Sequence, residues 1–139
     1  MKEQTKERKM PSEEAKKRGK ASREKGARGE LMLVHILRDF YGYPVRRGYV
    51  FQHESDIVGL QGVHCEVKNL ERLNIRKAYR QAVEEANKRN DGVPVVFHHK
   101  NREGWLVTMS LEDFMDFYGG WHDTERDGAQ AHEGNGLDQ

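Results

Sequence analysis

The strongest constraint on the fold is a four-residue connection, Gly59-Leu60-Gln61-Gly62, set between two short runs, Ser55-Asp56-Ile57-Val58 and Val63-His64-Cys65-Glu66-Val67-Lys68. Glycines at both ends of so short a connection suit a tight reversal, so the two runs are predicted to be adjacent strands of one hairpin. Downstream, Ile75, Tyr79, Ala82, Val83 and Ala86 recur at helical spacing over residues 75–90, and Asn90-Asp91-Gly92 supplies a stop. Val93-Pro94-Val95-Val96-Phe97 then reads as a strand entering a core sheet, with Pro94 near its start.

The remaining elements complete an α/β pattern. Leu31, Val34, Leu37, Arg38 and Tyr41 mark a first helix over residues 24–41, stopped by Gly42. Val45, Tyr49 and Val50 suggest a strand over residues 43–51, interrupted at Gly48, and residues 105–108 a last short strand. Ser110 is placed to cap a third helix, whose apolar side is Leu111, Phe114 and Phe117. Asp113 stands where a capping box needs Glu or Gln, so that signature is incomplete, although Glu112 and Asp113 suit the positive end of the helix dipole. The order helix, three strands, helix, two strands, helix predicts one small α/β domain with a mixed sheet over residues 21–118.

Charge separates the ends from this middle. The 139-residue chain carries 24 Lys/Arg against 23 Asp/Glu, but residues 1–29 hold eleven basic and five acidic side chains, and residues 119–139 one and five. A near-neutral total therefore leaves room for a polyanionic partner. Residues 1–20 are expected to form a flexible basic arm, part of which extends a helix from Ser12 or Ser22, and residues 119–139 a disordered acidic, glycine-rich tail. Nothing resembles an apolar span or a signal peptide, so a cytoplasmic protein without a membrane role is expected. Cys65 is the single cysteine, which excludes an internal disulfide and a cysteine-rich zinc site and makes a strand thiol the plain reading. No Gly-x-x-x-x-Gly-Lys-Ser/Thr is present, so no nucleotide cofactor is implied.

The chemistry concentrates in the hairpin. Strand alternation puts Glu66 and Lys68 on one face and Val67 on the other, and pairing across the turn brings Asp56 near Cys65 and Glu66. Two carboxylates and the Val67 carbonyl form a hard oxygen donor set suited to Mg2+, with Mn2+ as a substitute. Such an ion acidifies bound water and offsets charge on a phosphodiester, and Lys68 is placed to orient the water or stabilise the transition state. A solvent-facing Glu-Val-Lys in an ordinary strand is the bland reading of the same triplet. Glu30, at the start of the first helix as read here, either approaches these carboxylates or serves the helix dipole. Lys20, Arg23, Lys25, Arg28, Arg46 and Arg47 surround the cleft as candidate phosphate contacts.

In these residues the chain resembles the nuclease superfamily with an Asp, a spacer and Glu-x-Lys, and within it the small archaeal-type and phage-borne Holliday-junction resolvases. The correspondence covers residues 20–118: Glu30 in Arg28-Gly29-Glu30-Leu31 matches the family's first-helix acid, Asp56 its metal-binding Asp, and Glu66-Val67-Lys68 its catalytic triplet. The resemblance implies a restriction-endonuclease-like three-layer fold, Mg2+-dependent cleavage and homodimers acting on four-way DNA junctions. It also implies a bacterial host cytoplasm if the chain is phage-encoded. Two positions depart from the pattern. Ser55 replaces the usual Pro before the Asp, and Arg46-Arg47-Gly48-Tyr49 stands where many cellular resolvases have Ser-Gly.

Other readings compete. A flap-, nick- or mismatch-directed endonuclease differs from a resolvase mainly in substrate geometry, and a non-catalytic DNA-binding protein would need only the basic residues. Gln81, on the helix after the triplet, reads most simply as solvated, although the resemblance implies that a polar residue there can support the site. Tyr79, Trp105 and Phe114 read as core, and His98 and His99 as packed, capping or DNA-facing residues. The Leu111-Phe114-Phe117 stripe offers a dimer surface as an alternative to the core.

Overall fold

The computed structural model describes residues 12–134. Residues 1–11, the first part of the expected basic arm, and residues 135–139 lie outside the described residues.

Helix α1, Glu13–His35, begins at Ser12, whose hydroxyl accepts the Ala15 N–H at 3.2 Å, with Glu13 and Glu14 in the first turn. The helix thus starts within the expected arm and continues through a π-helical turn, Ile36–Phe40, before Gly42. Its buried positions are Gly29, Leu33 and Val34, whereas Leu31 and Tyr41 of the expected stripe face solvent. Arg38 instead spans the end of this helix to the next segment by donating its Nε–H to the Val45 carbonyl.

Five strands follow in spatial order β1-β2-β3-β4-β5: β1 Arg46–Arg47, β2 Ile57–Val58, β3 Val63–Asn69, β4 Val93–His99 and β5 Leu106–Thr108. The hairpin forms as predicted, with β2 antiparallel to β3 and Ile57 opposite Cys65. Helix α2, Ile75–Arg89, crosses from β3 to β4, which run parallel with Val63 opposite Val93 and Asn69 opposite His99. The expected 43–51 strand is reduced to two residues. A Cβ at Gly48 would collide with the Ser55 carbonyl, so the chain turns there into a 3-10 segment, Val50–Gln52, instead of extending.

The pleat sorts the core onto two faces. Cys65 and Val67 pack with Leu33 and Val34 of α1, with Phe97 against them, while Val96 packs with Ala78 and Ala82 of α2, and Tyr79 leans on that side. The sheet is therefore the middle of three layers, between α1 and α2.

Helix α3, Leu111–Gly134, starts at Ser110, whose hydroxyl accepts the Asp113 N–H at 3.0 Å. It runs sixteen residues past the expected boundary at Tyr118 into the segment read as a disordered tail. Glycine costs only about 1 kcal/mol in a helix, and Gly119-Gly120 is bridged by local contacts. Tyr118 lies 5.7 Å from Trp121 and 5.8 Å from His122 between ring centroids, and Thr124 Oγ1 donates to the Gly120 carbonyl. No helix among the described residues is long and apolar enough to cross a membrane.

Candidate functional site

Strand β2 stops short of β3, and that mismatch creates the site. Cys65 still pairs, its carbonyl accepting the Asp56 N–H at 3.1 Å, but two residues on the Val67 N–H donates to the Asp56 side chain, 2.8 Å to Oδ2. A carboxylate thus stands where the next backbone partner would be, in the plane of the sheet. The Val67 carbonyl points to that same edge, because one residue's N–H and C=O share a side of a strand.

Around this notch the pleat places His64, Glu66 and Lys68 on the α2 face. Lys68 Nζ lies 3.3 Å from Glu66 Oε1 and donates to Gln81 Oε1 of α2 at 3.1 Å. Gln81, for which the sequence favours a solvated reading over a supporting one, contacts the lysine. Glu30 approaches from α1, where its Oε2 accepts from Arg47 Nε and Nη2 at 2.8 and 2.7 Å. Helix α1 passes close enough because of Gly29, where a Cβ would stand 2.6 Å from that of Asn69 on β3. Asn69 Nδ2 then donates to the Lys25 carbonyl.

The electrostatics follow from this crowding. Burial and the neighbouring Glu66 charge, with Glu30 adding to them, push the Asp56 carboxyl up to about 6 against the Val67 N–H and Lys68. For Glu66 burial also pushes upward, but His64 and Lys68 prevail and hold it below its usual range. Burial works against the charged form of His64, and Glu66 and Asp91 more than offset it, so its pKa rises. His64 Nδ1 bonds Asp91 at 2.8 Å. Its Nε2 faces Glu66 Oε2 at 3.8 Å, too far for a hydrogen bond, and has no other partner. Cys65 is pushed up to about 12, chiefly by burial, which leaves it the inert strand thiol expected.

The basic residues divide into two sets. Arg46 is committed to Glu54 through two parallel bonds of 2.7 Å, and its guanidinium stacks 4.3 Å above the Tyr49 ring. Arg46 is the first cause of the fall of the Glu54 carboxyl to about 2, with the Tyr49 N–H assisting. Arg47 is held by Glu30, Lys25 pairs with Glu71 at 3.4 Å and Lys20 with Glu24 at 3.9 Å. Arg23 and Arg28 are exposed on α1 without an ion pair among the described residues. His98 bonds Thr108 Oγ1 and His99 stacks on Trp105 at 5.1 Å, which makes both histidines packing residues.

Among the described residues no group of three or more His, Cys, Asp or Glu side chains is placed to hold a metal ion. The oxygen donors at the notch nevertheless fit Mg2+, which is typically held by one or two carboxylates plus substrate phosphate rather than by an all-protein cage. The Glu66 charge that raises the Asp56 carboxyl is repulsion that such an ion would relieve. His64, Asp91 and Glu54 are given no role from the sequence. Only His64 had a signal there, two residues before Glu66 on the same strand face.

No known protein family and no curated protein matches this chain.

Proposed function

We propose that the protein is a Mg2+-dependent DNA endonuclease of restriction-endonuclease-like fold that acts as a homodimer and resolves four-way junctions by paired nicks. The observation that carries this reading is the Asp56 carboxylate at the break in the sheet, its pKa raised by burial and then by the nearby Glu66 and Glu30 charges, and flanked by Lys68. A structural role does not need two further acidic side chains, Glu66 and Glu30, beside the half-buried Asp56 carboxylate, because their charge raises the cost of ionising it.

Asp56, Glu66 and the Val67 carbonyl would hold the ion, whose chemistry there is Lewis acidity toward water and phosphate. Lys68, steadied by Gln81 and Glu66, supplies a fixed cation to the phosphorane-like charge. Glu30 and Arg47 hold each other at the α1 side of the notch, and Arg23 and Arg28 extend a row of positive charge toward the DNA backbone.

The test incubates the full chain with matched linear, nicked, flapped and four-way DNA, in magnesium and in chelator. Symmetric paired nicks confined to the junction and dependent on magnesium are expected. Equal cutting of all substrates overturns the resolvase assignment, and no metal-dependent cutting of any overturns the nuclease.

A further inference from the structure

The loop between β1 and β2 carries the most exposed large apolar side chains of the described residues. Phe51 is 98% and Val50 84% solvent-accessible. Several contacts tie this loop down beneath them. The Glu54 carboxylate takes the Arg46 fork and also the Tyr49 N–H at 2.7 Å. The Gln52 N–H reaches the Tyr49 carbonyl at 3.0 Å and the His53 N–H the Val50 carbonyl at 3.1 Å. His53 adopts a left-handed conformation, φ 51°, to close the turn. Fixed backbone beneath two solvated apolar side chains is a preorganised tip, and water is a poor partner for it.

The C-terminal root of that loop is Asp56. Four residues separate Phe51 from Asp56, so five chain steps hold their Cα atoms within about 17 Å of each other. On this basis, and resting on the nuclease reading, we propose that Phe51, supported by Val50, is a stacking site for an unpaired or unstacked nucleobase at a DNA branch point. Unstacking a step of continuous duplex costs about as much as, or more than, stacking one base on an aromatic ring returns. A single phenylalanine therefore gains little on intact duplex and most where a base is already free. At 3.4 Å per nucleotide, a 17 Å reach puts the cut within about five nucleotides of the branch.

The experiment places 2-aminopurine at the branch of a four-way junction and, separately, in the middle of a matched linear duplex, and titrates each with protein in chelator. Unstacking brightens the probe. Wild type is expected to brighten the junction probe and not the linear one. Phe51→Ala should abolish that signal and lower the junction-to-duplex affinity ratio about tenfold, and Phe51→Trp should restore both. An unchanged ratio in Phe51→Ala overturns the proposal, as does a changed oligomeric state with the ratio intact, which would assign the tip to a second copy. Brightening without magnesium-dependent cleavage leaves the stacking site standing and removes the nuclease. Cleavage without brightening does the reverse, and no DNA binding removes both.

Discussion

At the residue scale, Asp56 carries a cost that a bound cation relieves. Its carboxyl is raised from 3.8 to about 6 in the folded chain. The folded state therefore holds its proton more tightly than the unfolded state, and this group's contribution to stability declines as pH rises from about 4 to 6. Above that window the metal-free protein bears a penalty on the order of 3 kcal/mol. Asp56→Asn, which keeps an oxygen for the Val67 N–H, should thus be more stable than wild type at pH 7 in chelator, with the difference vanishing below pH 4. Magnesium should raise the Tm of wild type and leave the variant unmoved. Thermal unfolding with and without magnesium measures both, and a variant less stable than wild type at pH 7 in chelator would refute the assignment. Lys68→Ala should slow single-turnover cleavage at saturating protein roughly a hundredfold, and Gln81→Ala only a fewfold, since Glu66 still holds the lysine. Equal losses would make Gln81 a participant rather than a support. Asp56, Glu66 and Lys68 were legible because strand alternation is a local rule. Asp91 was not, because it meets His64 only through the parallel register of β3 and β4, which no local pattern encodes.

At the scale of elements, the hairpin and α2 were legible from glycine punctuation and apolar spacing, which act within one segment. What the sequence misplaced depends on distant chain. Val45, Tyr49 and Val50 read as a strand over residues 43–51 interrupted at Gly48. Strand β1 does end there, after Arg47, where the Ser55 carbonyl occupies the space a side chain would need, but beyond the break the chain forms a 3-10 turn instead of resuming the strand. Gly48→Ala should therefore destabilise the domain by about 1–3 kcal/mol, read as a lower urea midpoint at unchanged slope. An unchanged midpoint would show that the loop relaxes without cost. Helix α1 makes a different point, because its long exposed run carries free cations as well as paired ones. Replacing both Arg23 and Arg28 with Ala should flatten the dependence of log affinity on log salt by about 0.9 for each phosphate contact removed. The same change at Lys20, already engaged by Glu24, should flatten it less.

At the scale of the whole molecule, α3 stands apart. Among the described residues it packs closely against no other element, and Phe114, Phe117, Tyr118 and Trp121 are each 44–59% exposed. Phe114, read from sequence as core, instead borders with Phe117 a groove lined by Leu37, Tyr41, Tyr43 and Trp105. An aromatic side chain covers about 150–250 Å², so four that are half exposed leave about 400 Å² open, and Tyr41, Tyr43, Leu111 and Met115 add a similar area. That approaches the roughly 800 Å² each partner buries in a standard interface and exceeds the largest apolar patch of a typical monomer. A second copy related by a twofold axis would cover this face with its own and set two notches for two strands of one junction. Phe114→Asp combined with Phe117→Asp should convert a dimer to a monomer in sedimentation velocity over a concentration series, with the circular dichroism of the α/β core retained. On a supercoiled plasmid bearing a cruciform, wild type should then give linear product by paired nicks, and the monomer open circles by single nicks. A wild-type monomer that still linearises the plasmid would separate resolution from dimerisation and return this apolar face to some other partner.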